Sequence, residues 1–213
     1  SGVVQFAPSA TIEDYPEIDL FGYMKTMAKD DNARGGASTR SAVARLSNAI
    51  SLEPYQGELE FLTNMGLAKR QNLDNGIAYT ISVDLDRVGI DGEINVSKEE
   101  KAKRVKTLLE TVQYLYRDIR GRRENLSPLF IIGGNYERKN PFFENIVKID
   151  NNMINVDTLV EMKESSEDLE NSTIVGVTSG IFNNDSQIKE KLGAVTIAEA
   201  FGEFKKKVDE YYA

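Results

Sequence analysis

The stretch IAYTISVDLD, Ile77 to Asp86, alternates strictly. Ile77, Tyr79, Ile81, Val83 and Leu85 fall on one face, and Ala78, Thr80, Ser82, Asp84 and Asp86 on the other. A period of two with one apolar and one polar side predicts a half-buried strand. Downstream, Ser97 and Glu100 have the spacing of a capping box that opens a helix. Val105, Leu108, Leu109, Val112, Leu115, Tyr116 and Ile119 then recur at helical spacing. The helix is expected to close at Arg120, Gly121, Arg122 and Arg123, where glycine stops a helix and cations suit its C-terminus. Further strands are predicted at Leu129–Ile132, Asn145–Ile149 and Thr173–Val177. A second capping box, Thr196 with Glu199, opens a C-terminal helix with Ile197, Phe201, Phe204, Val208 and Tyr211 as its apolar stripe. Strands interleaved with two amphipathic helices indicate an α+β fold, helices on one face of a mostly antiparallel sheet.

The remaining arithmetic narrows the chemistry. The chain has 213 residues, 40% of them hydrophobic and 28% charged, the profile of a soluble globular protein. It contains no Cys and no His. That removes disulfides, thiol nucleophiles, imidazole bases and zinc sites built on those residues. No apolar run is long enough to span a bilayer, and no signal peptide opens the sequence. The net charge of −8 excludes a wholly basic nucleic-acid binder but not a local basic surface. From Lys98 to Arg123 there are nine basic and four acidic residues, whereas from Asn151 to Ala213 there are six basic and twelve acidic. A basic middle and an acidic tail are expected to meet between neighbouring copies.

Three groups carry candidate chemistry. Gly133 and Gly134 follow the apolar run LFII directly, with Tyr136, Arg138 and Lys139 after them. Glycines at a strand end let backbone approach a phosphate, and the cations would neutralise it. The pattern is neither a Walker loop nor GxGxxG, and it equally fits a turn with solvated charges. Ala28 to Ala44 is small, polar and glycine-containing, and predicts a long surface insertion near residues 25–50. Arg34, Arg40 and Arg45 lie in or beside it, and Lys69 and Arg70 follow downstream. Arginines there are suited to a phosphate backbone, or are simply solvated. Asp30 and Asp31 in the same segment have the chemistry for a hard cation, although adjacent loop acids are usually solvated. Asp84 and Asp86 fit either a cation or pairing with Arg87 or a neighbouring strand. The Lys and Arg of the helix from Lys98 read mostly as its solvated outer face.

Five blocks in order carry a resemblance: EIDLFGYM (Glu17–Met24), NAISLEPYQGELEFLTNMGLAKR (Asn48–Arg70), YTISVDLDRVG (Tyr79–Gly89), LFIIGGNYERKNPFF (Leu129–Phe143) and STIVGVTSGIFNN (Ser172–Asn184). Together they resemble the DevR-type CRISPR-associated proteins, the Cas family seven backbone subunits of type I-B Cascade. The resemblance implies an RRM-like (ferredoxin-like) palm with inserted finger and thumb segments, one domain over 1–213. It implies a non-catalytic cytoplasmic subunit, without cofactor or bound metal, that polymerises as a filament along the CRISPR guide RNA. The target DNA strand, other copies of itself and other Cascade subunits are the implied partners, and no membrane is. Arg40 and Arg45 match positions expected toward the RNA, and Gly133, Gly134, Tyr136, Arg138 and Lys139 match the glycine-turn block. Relatives open with a strand and helix before the DLFGYM block, so the first strand and helix are expected to be missing here. They also carry a longer insertion where Asn72–Gly76 stands, and a proline at the position of Asn48. A ribonuclease using Asp30 or Asp31 is the alternative from related effectors. A transcriptional regulator is a third reading, without a helix-turn-helix signature.

Overall fold

The computed structural model describes residues 10–26, 37–52, 57–62, 66–71, 76–119 and 121–213, with 57–62 and 66–71 considered as backbone only. Helix α1 (Pro16–Phe21) starts on a proline, carries Glu17 and Asp19 in its first turn, and stops at Gly22, whose φ is 74°. A Cβ at Gly22 would run into the carbonyl oxygen of Arg40. Strand β1 (Tyr23–Thr26) pairs antiparallel with β2 (Ala37–Arg40). Part of the stretch expected as a surface loop is therefore a strand, and Val43 and Ala44 at its end are core residues.

From there the chain runs out and back through three antiparallel strand pairs, the inner two of which make a ribbon. β3 (Ala44–Leu46), β4 (Ile50–Ser51) and β5 (Gly57–Leu62) lead out; β6 (Gly66–Gln71), β7 (Ile77–Ala78) and β8 (Ile81–Val83) return. Ala44 faces Val83 and Leu46 faces Ile81, but Ile50 faces Ala78, one residue out of step. Ser47 remains in the first register, its amide donating to Thr80 O at 2.9 Å. Asn48 and Ala49 together therefore oppose Tyr79, which is a β-bulge. The predicted Ile77–Asp86 strand is thus interrupted at Tyr79 and Thr80 and ends at Val83. Leu85 belongs to a 3-10 turn, Leu85–Arg87, whose carbonyl accepts a 2.6 Å bond from the Tyr212 hydroxyl.

A small hairpin, β9 (Ile90–Asp91) with β10 (Ile94–Asn95), leads into α2 (Lys98–Gln113). Ser97 caps α2 by accepting from the Glu100 amide at 3.2 Å, while the Glu100 carboxylate turns to Arg104. The helix ends at Gln113, earlier than its periodicity predicts. Residues from Tyr116 instead form β11 (Tyr116–Ile119), which pairs with β12 (Arg122–Asn125). Gly121, at φ 78°, serves the turn of this hairpin rather than a helix cap.

β13 (Phe130–Gly133) is separated from its partner by a long excursion. That excursion holds β14 (Ile149–Asp150), β15 (Met153–Ile154), α3 (Val156–Lys163) and α4 (Glu167–Ser172). Asn151 and Asn152, at φ 49° and 56°, make the two-residue turn between β14 and β15. Of the predicted strand Asn145–Ile149 only Ile149 is in a strand, and Asn145 and Ile146 are in a turn. β16 (Ile174–Val177) returns antiparallel to β13, and α5 (Asp185–Leu192) and α6 (Ile197–Tyr212) complete the chain. The Thr196–Glu199 capping box forms in both directions as predicted.

Among the described residues two large apolar cores result, beside a small third cluster of Ala10, Ile12 and Ile18. One joins Val175 and Val177 of β16 to Leu159, Leu169, Ile188 and Leu192. The other joins Leu20, Val43 and Val88 to Ala102 and Val105 of α2 and Val208 and Tyr212 of α6. The basic middle and the acidic tail therefore pack together within the chain, and Lys106 Nζ lies 2.6 Å from Asp209. Among the described residues the strands pair only in twos. The fold is mixed α and β, and no described helix is long and apolar enough to cross a membrane.

Candidate nucleic-acid interface

Charge is first spent internally. Asp19, on the inward side of α1, is fully buried. Its carboxylate accepts from Arg40 Nη2 at 2.6 Å, Arg104 Nη1 at 3.0 Å and the Gly89 amide at 2.8 Å. Arg40 Nη1 also donates to Ile90 O at 2.6 Å, and Nη2 to Arg87 O at 3.2 Å. A buried carboxylate is tolerable only when paired and hydrogen-bonded, and two guanidinium forks meet that need. Arg40, expected toward RNA, is consequently an internal cation, with 5% of its side chain exposed. It ties β2 to α1 and to the segment before β9. Lys101 and Arg104 are buried too, so α2 does not hold all its cations on a solvated face. Nothing local in the sequence marks these pairs, because Asp19 and Arg104 are 85 residues apart.

The exposed cations converge elsewhere, at the base of the ribbon. Arg45 on β3 lies opposite Ser82 and reaches Asp84, Nη2 to Oδ2 at 2.9 Å. Arg87 Nη1 approaches the same oxygen at 3.6 Å. Asp84 thus pairs with both Arg87 and a neighbouring strand. Two residues on, Asp86 accepts two bonds from Lys139 Nζ, at 2.6 and 2.7 Å. The Lys139 hydrogen bond holds the Asp86 carboxyl below the usual carboxylate range, and the same bond pushes Lys139 up. Arg45, Arg87 and Lys139 keep 53%, 38% and 58% of their side chains exposed. Arg138, next to Lys139, is exposed as well. Surface pairs of this kind are weak, so a phosphate can compete for the cations.

The glycine turn is built for packing. A Cβ on Gly134 would strike the backbone carbonyl of Ser172, whereas one on Gly133 would meet only the Phe204 ring at 4.0 Å. Tyr136 turns inward: its hydroxyl is 3.0 Å from Thr173 Oγ1 and its ring meets Phe142 edge-on at 5.4 Å between centroids. Burial pushes its hydroxyl up to about 12. The turn thereby delivers Lys139 to Asp86. Lys69 and Arg70 are on β6, opposite Leu59 and Glu58. Arg34, Asp30 and Asp31 lie outside the described residues. Among the described residues no cluster of three or more acids stands where it could hold a metal. Of the expected residues, the structure brings Arg45 and Lys139 to one place. It adds Arg87, which the sequence offered only as a partner for Asp84.

The family model described as "CRISPR-associated negative auto-regulator DevR/Csa2" matches residues 4–157, a span that includes every residue of this patch. No curated protein and no solved structure matches the chain.

Proposed function

The chain belongs to the DevR/Csa2 family of CRISPR-associated proteins, and from that premise we propose that it binds CRISPR guide RNA as a non-catalytic backbone subunit of a type I-B Cascade complex. The observation that supports this reading is the convergence of Arg45, Arg87 and Lys139, from three chain segments, around Asp84 and Asp86. In a chain of net charge −8 they make a local cationic surface. The partner of Lys139, Asp86, is an exposed carboxylate that a phosphate chain displaces at little cost, and Arg45 and Arg87 share the single, more enclosed Asp84. Recognition of this kind reads the backbone and not the bases, as a guide of changing sequence requires.

In this reading β13 and β16, backed by α6, are part of an RRM-like palm, and the ribbon from β3 to β8 is one of its inserted segments. Copies of the subunit line up along the guide in the cytoplasm, beside other Cascade subunits and the target DNA strand. Fluorescence anisotropy with several unrelated single-stranded RNAs tests the reading. Binding is expected to be salt-sensitive and nearly equal across sequences. Binding that ignores salt, or is confined to one sequence, would overturn it.

A further inference from the structure

Past Gln113 the chain leaves α2 at Tyr114, with φ −114° and ψ 33°, and enters the β11–β12 hairpin almost at once. Two aromatic side chains are left outside the core: Tyr114 is 63% exposed and Tyr116 56%. Arg123 lies over the Tyr116 ring, 4.5 Å from its centroid. It is held there from the facing strand position by Asp118, at 3.1 Å. Between helix and hairpin runs a groove of about 580 Å³, lined by Thr107, Glu110, Thr111, Tyr114, Leu115 and Tyr116.

The groove thus has Tyr114, Leu115 and Tyr116 at one end, with Arg123 beside them over the Tyr116 ring. That arrangement matches one nucleotide of a single strand: a flat base for the rings and a neighbouring phosphate for the Arg123 cation. Glu110 has no charge partner among the described residues, so it is available to accept from a base amino or ring N–H. It also repels a phosphate from the floor itself. A duplex would bury its base faces in its own stack and leave the tyrosines unused. The geometry points to a stacking subsite for one unpaired base of single-stranded RNA on Tyr114 and Tyr116. This inference rests on the guide-RNA reading above but uses a different surface from the Arg45–Lys139 patch.

The test uses the full chain and single-stranded RNA carrying the fluorescent base aminopurine at scanned positions. The wild-type protein is expected to quench the probe at one position per bound copy. Tyr114→Ala with Tyr116→Ala should abolish that quenching and weaken binding roughly tenfold or more, whereas the double Tyr→Phe variant keeps both. Should the double alanine variant lose its fold by circular dichroism, Tyr114→Ala alone against Tyr114→Phe gives the same contrast at the more exposed ring. Alanine variants that bind and quench like wild type overturn the stacking subsite and leave phosphate binding at Arg45 and Lys139 standing. Wild-type protein that binds no RNA overturns both.

Discussion

Arg104 Nη1 lies 3.0 Å from Asp19 Oδ2, with the two side chains 2% and 0% exposed. The same carboxylate holds Arg40 at 2.6 Å. One acid therefore bridges two buried guanidiniums and pins α1, β2 and α2 together. Removing it takes away the carboxylate they share and leaves Arg104 with Glu100 at 3.0 Å and Arg40 with Asp91 at 3.7 Å. Asp19→Asn is expected to lower unfolding stability by about 3–5 kcal/mol, the usual cost of breaking a buried pair from one side. Arg104→Lys keeps the charge but not the fork, and should fall between wild type and Asp19→Asn. Urea denaturation measures both. A loss below about 1 kcal/mol for Asp19→Asn, as for a surface pair, would contradict the hub.

The adjacent glycines of the turn should respond differently to the same methyl group. At Gly134 the obstruction is backbone, the Ser172 carbonyl, which cannot swing aside. Gly134→Ala is expected to cost about 1–3 kcal/mol through forced displacement. At Gly133 only a ring edge at 4.0 Å is met, so Gly133→Ala should be close to neutral. Thermal unfolding of the two variants, side by side, decides this. Equal melting points would mean that the strand end is not packed on α4.

Tyr136 makes stability depend on alkaline pH. Burial raises its hydroxyl to about 12, with the Thr173 bond acting in the opposite direction. In an unfolded chain tyrosine ionises near about pH 10. Below that value both states keep the proton, and the contribution is fully present. Between the two values the unfolded chain loses its proton first, so stability falls as pH rises. Tyr79 and Tyr212 are raised by burial as well and add to the same trend. The urea midpoint is expected to begin falling above about pH 10, and Tyr136→Phe should flatten part of that slope. Tyrosinate absorbance checks the cause: Tyr136 ionising with the exposed tyrosines would remove the explanation.

Local signals in the sequence were readable and non-local ones were not. Thr196 and Glu199 are three residues apart and cap each other, so the start of α6 followed from spacing. The start of α2 at Ser97 followed in the same way. Its end did not, because Leu115, Tyr116 and Ile119 continue the helical period by coincidence while Gly121 supplies a hairpin turn. The strand from Ile77 was legible, but the bulge at Asn48 and Ala49 depends on what faces Tyr79, which alternation does not encode. The site divides similarly. Arg40 and Arg45 look alike in sequence and are five residues apart. Only the fold distinguishes them: one is folded against Asp19 and the other stands beside Asp84 at the surface.

That division yields the sharpest prediction about RNA. The Arg45 and Lys139 side chains are both more than half exposed, and Arg87 remains beside Asp84, so Arg45→Ala with Lys139→Ala should change stability by no more than about 1 kcal/mol. If each cation contacts one phosphate, the log–log salt slope for single-stranded RNA should drop by about 0.7 per contact, or about 1.4 for the double variant. The loss should be alike for all sequences. Alanine at both positions also leaves Asp86 without its lysine and Asp84 with Arg87 alone, which by itself weakens binding. Asp86→Asn separates the two effects, because it frees Lys139 from its carboxylate and is expected to tighten binding. Arg40→Ala should do the reverse of the surface pair: lower stability, yet leave the salt slope unchanged at temperatures where the variant is folded. The grip is misplaced if Arg40→Ala reduces the slope while the Arg45 and Lys139 double variant keeps it.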